Sequence, residues 1–182
     1  MRTGGFMTFA KAFLQARRGS TAVEFALLLP FLLLFYLGGY ELTQALSTYR
    51  KLTDTTTEIG SIVSQYPTLS AANLSSIFGA SSQIMAPYSA SNLKIVLSEV
   101  TTDASNNATV TWSQGYNGGI PLAAGTAVSM PAGLAMPSSN YILVQTSYLY
   151  SPTIGAAYVP QIALGDSIYM LPRQSTSITY TG

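Results

Sequence analysis

Histidine and cysteine are both absent, and charge is scarce: Asp, Glu, Lys and Arg make up 8% of the 182 residues, against roughly 25% in an ordinary soluble protein. Without cysteine there are no disulfides, thiol nucleophiles or thiolate metal sites, although the compartment stays open. Without histidine the commonest general base and the commonest metal ligand are gone. No Gly-x-Ser-x-Gly elbow occurs either, so a membrane-tethered serine hydrolase is a poor expectation. The length leaves room for one modest domain and an anchor.

The few charges are unevenly placed. Arg2, Lys11, Arg17 and Arg18 precede a long apolar run, and no acid precedes Glu24. Beyond Gly19 the cations are Arg50, Lys51, Lys94 and Arg173 against seven acids, a net charge of −3. A nucleic-acid partner has no electrostatic basis there.

From Phe25 to Tyr40 there are sixteen consecutive uncharged, mostly apolar residues. With Ser20 to Glu24 the stretch reaches about 31 Å as a helix, the thickness of a hydrocarbon core of about 30 Å. Phe31-Leu32-Leu33-Leu34-Phe35-Tyr36 has no polar face for solvent, which disfavours a soluble core helix. Glu41-Leu42-Thr43-Gln44-Ala45-Leu46 offers no small-x-small exit site, which disfavours a cleaved secretory signal. A transmembrane anchor over 20–41 is the expectation. The preceding basic cluster puts its N-terminus in the cytoplasm and the rest outside. Pro30 removes one backbone donor within the span, and reads either as a functional kink or as a proline tolerated by its neighbours.

A glutamate at the mouth of such a helix is costly unless used. Locally, Thr21-Ala22-Val23-Glu24 fits a capping box, with the carboxylate near the positive end of the helix dipole. The wider pattern is Arg17-Arg18-Gly19, then Ser20-Thr21-Ala22-Val23, Glu24-Phe25 and Ala26-Leu27-Leu28-Leu29-Pro30. Residues 17 to 42 resemble the N-terminal signature of the TadE-like family, pseudopilins of the tight-adherence (Flp, type IVb) pilus system. The resemblance implies a prepilin peptidase acting between Gly19 and Ser20 on the cytoplasmic face. It gives Arg17 and Arg18 as the basic flank, and Glu24 and Phe25 as recognition or assembly residues. Ser20 would be the first mature residue where ordinary type IV pilins favour phenylalanine, so N-methylation is not carried over. Before removal, Phe6, Met7, Phe9, Phe13 and Leu14 could form a short amphipathic surface helix.

Beyond the span, Leu42, Ala45, Leu46, Tyr49, Leu52, Ile59, Ile62 and Val63 recur near helical spacing, predicting a stalk over 42–66 that Tyr66-Pro67 ends. Arg50, Lys51, Asp54 and Glu58 form its solvated face. Ser70 is a plausible N-cap for a second helix with Leu74, Ile77, Phe78, Ser81, Ile84 and Met85 on one stripe until Pro87. Then the period becomes two. Strands are expected over 93–101, 109–116, 141–150 and 167–171, with a hairpin turn at Asp103-Ala104-Ser105-Asn106-Asn107. Residues 117–139, rich in Gly, Pro, Ser and Ala, read as a long loop of the kind that often binds partners. Asp103, Asn106 and Asn107 could ligate calcium, but the glycine and terminal glutamate of an EF-hand are missing and turn chemistry is preferred. Tyr116, Tyr141, Tyr148, Tyr150, Tyr158, Tyr169 and Tyr180 suit half-buried strand positions or an adhesive surface.

The expected fold class is α+β: a long N-terminal membrane helix continuing into a stalk, then a short helix and an antiparallel sheet of about four strands. The expected organisation is a leader at 1–19, a span at 20–41, a stalk at 42–66 and a periplasmic domain at 67–182. No catalytic, cofactor or metal site and no small-molecule substrate is expected. The resemblance implies an inner-membrane minor pseudopilin whose partners are the prepilin peptidase, other pilins or pseudopilins and pilus assembly proteins. The alternative is an uncleaved, signal-anchored periplasmic binding or scaffold protein.

Overall fold

The computed structural model describes residues 20–154, 156 and 159–182. The chain divides into two compact units, Met1–Gln44 and Ala45–Gly182.

In the first unit, helix α1 begins. It runs as Ser20–Val63, 44 residues with Pro30 in its interior. Ala and Leu, strong helix formers, supply most of its first turns. Every residue from Thr21 to Tyr40 is exposed. At Thr43 the hydroxyl donates back to the Gly39 carbonyl at 2.9 Å, so its polar group is satisfied within the helix.

In the second unit, the remainder of α1 is part of the core. Thr48, Leu52, Thr55, Thr56, Ile59 and Val63 are fully buried and recur at spacings that keep them on one face. Threonine can serve here because its hydroxyl finds local partners. Thr55 donates to the Lys51 carbonyl and Thr56 to the Leu52 carbonyl, both at 2.8 Å. Thr56 Oγ1 also meets Thr146 Oγ1 at 2.6 Å. The expected apolar stripe is right at Leu52, Ile59 and Val63, but Leu42, Leu46 and Tyr49 are exposed. Threonines occupy the buried face in their place, and hydropathy does not mark them. The helix stops at Val63 rather than at Tyr66, with Gln65 and Tyr66 amides bonded to Ile62 and Val63 carbonyls in a closing turn.

Strand β1 (Thr68–Ser70) leads into α2 (Ala71–Met85). Ser70 is its N-cap as expected, accepting from the Asn73 amide at 3.1 Å. Leu74, Ile77, Phe78, Ser81 and Met85 form its buried face, and it ends before Pro87. A short 3-10 turn (Ala90–Asn92) precedes β2 (Leu93–Thr102), β3 (Ala108–Tyr116), β4 (Ala127–Val128), β5 (Asn140–Tyr150), β6 (Ile162–Met170) and β7 (Thr179–Thr181).

Five strands form one antiparallel sheet in the order β4-β3-β2-β5-β6, and β1 pairs with β7 in a separate two-stranded parallel ribbon. The class is α+β, with one more strand in the main sheet than the four read from sequence. Strands β1, β4 and β7 are two or three residues long, too short for periodicity to register. Strand β6 starts five residues earlier than expected, because Gly165-Asp166 lies inside it rather than bounding it.

One sheet face carries Leu93, Ile95 and Leu97 with Ile142 and Val144, in one core with Leu52, Ile59, Val63 and the α2 stripe. The other carries Val100, Ala108, Tyr141 and Leu143, against which Val128 and Met130 pack. Part of the 117–139 loop is thereby a cover. Its contacts include Tyr141 Oη, which donates to the Leu134 carbonyl and accepts from the Met136 amide, both at 2.9 Å.

Candidate functional site

The residues singled out by sequence cluster at the start of α1. Arg17, Arg18, Gly19 and the leader positions Phe6 to Leu14 lie outside the described residues. The described helix opens at Ser20, and Glu24 follows one turn later, a rise of about 6 Å. Thr21 already lies within the helix, and no acid falls in the helix's first turn. Glu24 and Phe25 are both exposed, the latter at 57%. Pro30 sits inside an unbroken helix, and its missing amide leaves the Ala26 carbonyl without the usual partner.

The surface around these residues decides what solvent the helix needs. Between Val23 and Tyr40, thirteen large apolar or aromatic side chains are at least 36% exposed. Burying one such side chain is worth about 1.5–3 kcal/mol, so water is a very poor medium for this surface. Hydrocarbon or the apolar faces of other helices match it.

The second unit shows a different use of its acids. Glu99 and Asp103, four apart in sequence, do not converge. The Glu99 side chain is buried, and its Oε1 accepts from the Ile178 amide at 2.6 Å. Burial pushes its pKa up, against the opposing effects of the Ile178 amide and the Trp112 side chain. Trp112 Nε1 donates to the Ile178 carbonyl at 2.7 Å, so two sheet residues hold both backbone groups of Ile178. That clamp carries the chain into β7 and was not foreseen. A lone Glu within an apolar strand was its only signal.

Asp103 organises the expected hairpin turn. Its Oδ1 accepts from the Ser105 and Asn107 amides at 2.7 and 2.9 Å, and Oδ2 from Asn107 Nδ2 at 2.8 Å. Asn106 takes φ 65°, a left-handed conformation asparagine tolerates. These bonds, led by the Asn107 side chain, lower the Asp103 pKa. A lowered carboxylate favours the fold at pH above its unfolded value, and the benefit is lost as pH falls through the folded one. Acidification below about pH 3.9 should therefore speed amide exchange at Ser105 and Asn107 relative to their intrinsic rates at the same pH. Asp103→Ala should show the same faster exchange at neutral pH. Among the described residues no three His, Cys, Asp or Glu side chains are grouped as metal ligands.

The tyrosines divide similarly. Tyr141, Tyr148 and Tyr150 are buried, Tyr116 stacks on Phe78 with centroids 5.1 Å apart, and Tyr180 lies against Trp112 at 5.5 Å. These five are core and tail packing. Tyr158 lies outside the described residues.

Among the described residues one helix, near the N-terminus, is long and apolar enough to cross a membrane, and it continues into an α+β unit. Residues 19–60 match the family model described as TadE-like protein, so the match spans the apolar helix and most of the helical residues that belong to the core of the second unit. No curated protein and no solved structure matches the chain.

Proposed function

We propose that this protein is a minor pseudopilin of a Tad (Flp) pilus system, held in the inner membrane by α1 and active in pilus assembly for surface adherence. The observation that carries the reading is the TadE-like match over 19–60, on a helix whose apolar surface is exposed all round. The N-terminus is cytoplasmic and the outer unit periplasmic. A prepilin peptidase cuts between Gly19 and Ser20, and Arg17, Arg18, Glu24 and Phe25 present that bond.

The role is structural. Cleavage exposes an ammonium at Ser20, one turn from the Glu24 carboxylate. Among packed pilin helices a charge at that depth needs an opposite charge on a neighbour. Glu24 thus sets the axial register between subunits, and Pro30 bends the helix to fit them.

The test is the N-terminal residue of protein recovered from native membranes, read by mass spectrometry. The expected terminus is Ser20, with cleavage abolished by replacing Gly19 with a bulky residue. Glu24→Ala should lose either processing or association with other pilins. A terminus at Met1 or Arg2 would instead favour the uncleaved, signal-anchored periplasmic scaffold.

A further inference from the structure

Two contacts fix how α1 and β5 run past each other within the second unit. A side-chain carbon at Gly60 would lie 3.5 Å from Val144 Cγ2, and Thr56 Oγ1 meets Thr146 Oγ1 at 2.6 Å. Four residues back along α1 therefore match two residues forward along β5, about 6 Å in either element. Continuing in step brings Leu52 level with Tyr148 and Thr48 with Tyr150. Leu52, Tyr148 and Tyr150 do share one core, and Ala45 packs against it. The paired ends of β5 and β6, Tyr150 and Ile162, thus lie at the end of the unit where its chain enters at Ala45.

That end is where the unit leaves apolar surface uncovered. Among the described residues the unit exposes ten large apolar side chains, and six of them gather there: Leu46, Tyr49, Leu149, Ile154, Val159 and Ile162, each 39–50% exposed. Leu149 and Ile162 face opposite sides of the hairpin, since Ile162 pairs with Tyr150. Ile154 and Val159 belong to the loop that joins the two strands. From Leu149 to Ile162 the sequence holds no charged residue. Along α1 the charges nearest Ala45 are Glu41 before it and Arg50 and Lys51 after it.

The chain itself says what covers this surface. Ala45 follows Tyr40, the last of the exposed apolar run, by five residues of unbroken helix, a rise of about 7.5 Å. The headgroup layer on one side of a bilayer is about 5–7 Å thick. That rise is too short to hold this end of the unit clear of a bilayer that α1 crosses.

We infer that the β5–β6 tip and the α1 turns just beyond Ala45 rest in the interfacial layer of the bilayer, a second membrane contact beside the span. The inference rests on α1 being a membrane span. Leu149, Ile154, Val159 and Ile162 enter the headgroup–acyl boundary, Tyr49 suits the headgroup level, and Arg50 and Lys51 meet lipid phosphates. A soluble partner is the poorer occupant, because lipid already stands within that short rise.

The chain has no cysteine, so single introduced cysteines can each carry an environment-sensitive fluorophore. The full chain, a single copy per nanodisc of phosphatidylethanolamine and phosphatidylglycerol, is labelled at Leu34→Cys, Ile154→Cys or Ala104→Cys. Ala104, exposed in the β2–β3 turn, lies at the opposite end of the sheet and is the control. The Leu34 probe should be quenched by lipid nitroxides deep in the acyl chain, and the Ile154 probe by nitroxides near the headgroup. The Ala104 probe should be quenched by neither, but by aqueous iodide. Leu149→Asp with Val159→Asp should abolish the Ile154 quenching, with Leu34 quenching and circular dichroism unchanged. An Ile154 probe as open to iodide as that at Ala104, or lipid quenching that survives both aspartates, would overturn the contact and leave the span in place. An unquenched Leu34 probe would overturn the span itself, and the contact with it. Shielding of Ile154 only in discs that hold several chains would make a second copy the occupant and overturn the proposal.

Discussion

Phe78→Ala should cost the unit Ala45–Gly182 about 3–5 kcal/mol, the range for truncating a buried aromatic. Phe78 is 4% exposed and faces the main core from the middle of α2. It also stacks on Tyr116 at the end of β3, at an interplanar angle of 30°. The loss therefore has two parts: the cavity left under the helix, and an aromatic contact worth about 0.5–1.5 kcal/mol beyond area burial. Typical domains have only 5–15 kcal/mol in total, so a large shift in denaturation midpoint is expected. Trp112 is the sole tryptophan and lies in the clamp on Ile178, which makes its fluorescence a natural probe. Tyr116→Leu should cost less, and in Phe78→Ala its further effect should shrink, because the stack is already gone. A midpoint unchanged by Phe78→Ala would mean that α2 does not close the core.

Where the chain follows simple periodicities, its fold is legible without coordinates. The apolar run, the Ser70 cap, the stop before Pro87 and the hairpin around Asp103 each combine a pattern with a local chemical reason. What escapes reading is long-range. Thr48, Thr55 and Thr56 look like a polar helix face until Thr146 and the sheet are set against them. Strand β7 is three residues whose partner among the described residues, β1, lies more than a hundred positions earlier, so no local signal announces the pair. Gly165-Asp166 has turn composition, yet an edge strand tolerates it. The N-terminal candidate residues belong to a pattern that is local, contiguous and unlike that of a soluble helix, and the family match begins within it at residue 19.

Glu99→Ala should be the second most damaging change, and its pH dependence identifies the cause. The substitution removes the acceptor for the Ile178 amide, and Ile178 is fully buried. An unsatisfied buried amide costs about 1–3 kcal/mol, and the cavity adds to it. The damage should centre on the tail: amides of Thr179 to Thr181 should exchange faster, because β7 follows directly on the clamp. Glu99→Gln separates acceptor from charge, since its amide oxygen can still receive the Ile178 hydrogen. The wild-type carboxyl has its pKa raised, chiefly by burial. A raised carboxyl favours the fold in its protonated form, so its contribution is full below the unfolded value of about 4.3 and declines as pH rises through the folded one. The wild type should thus lose stability across that interval relative to Glu99→Gln, which has no proton to release. At neutral pH Glu99→Gln should match or exceed the wild type, while Glu99→Ala falls below both. Equal behaviour of the alanine and glutamine variants would mean that the carboxylate's charge, and not its hydrogen bond to Ile178, holds the tail in place.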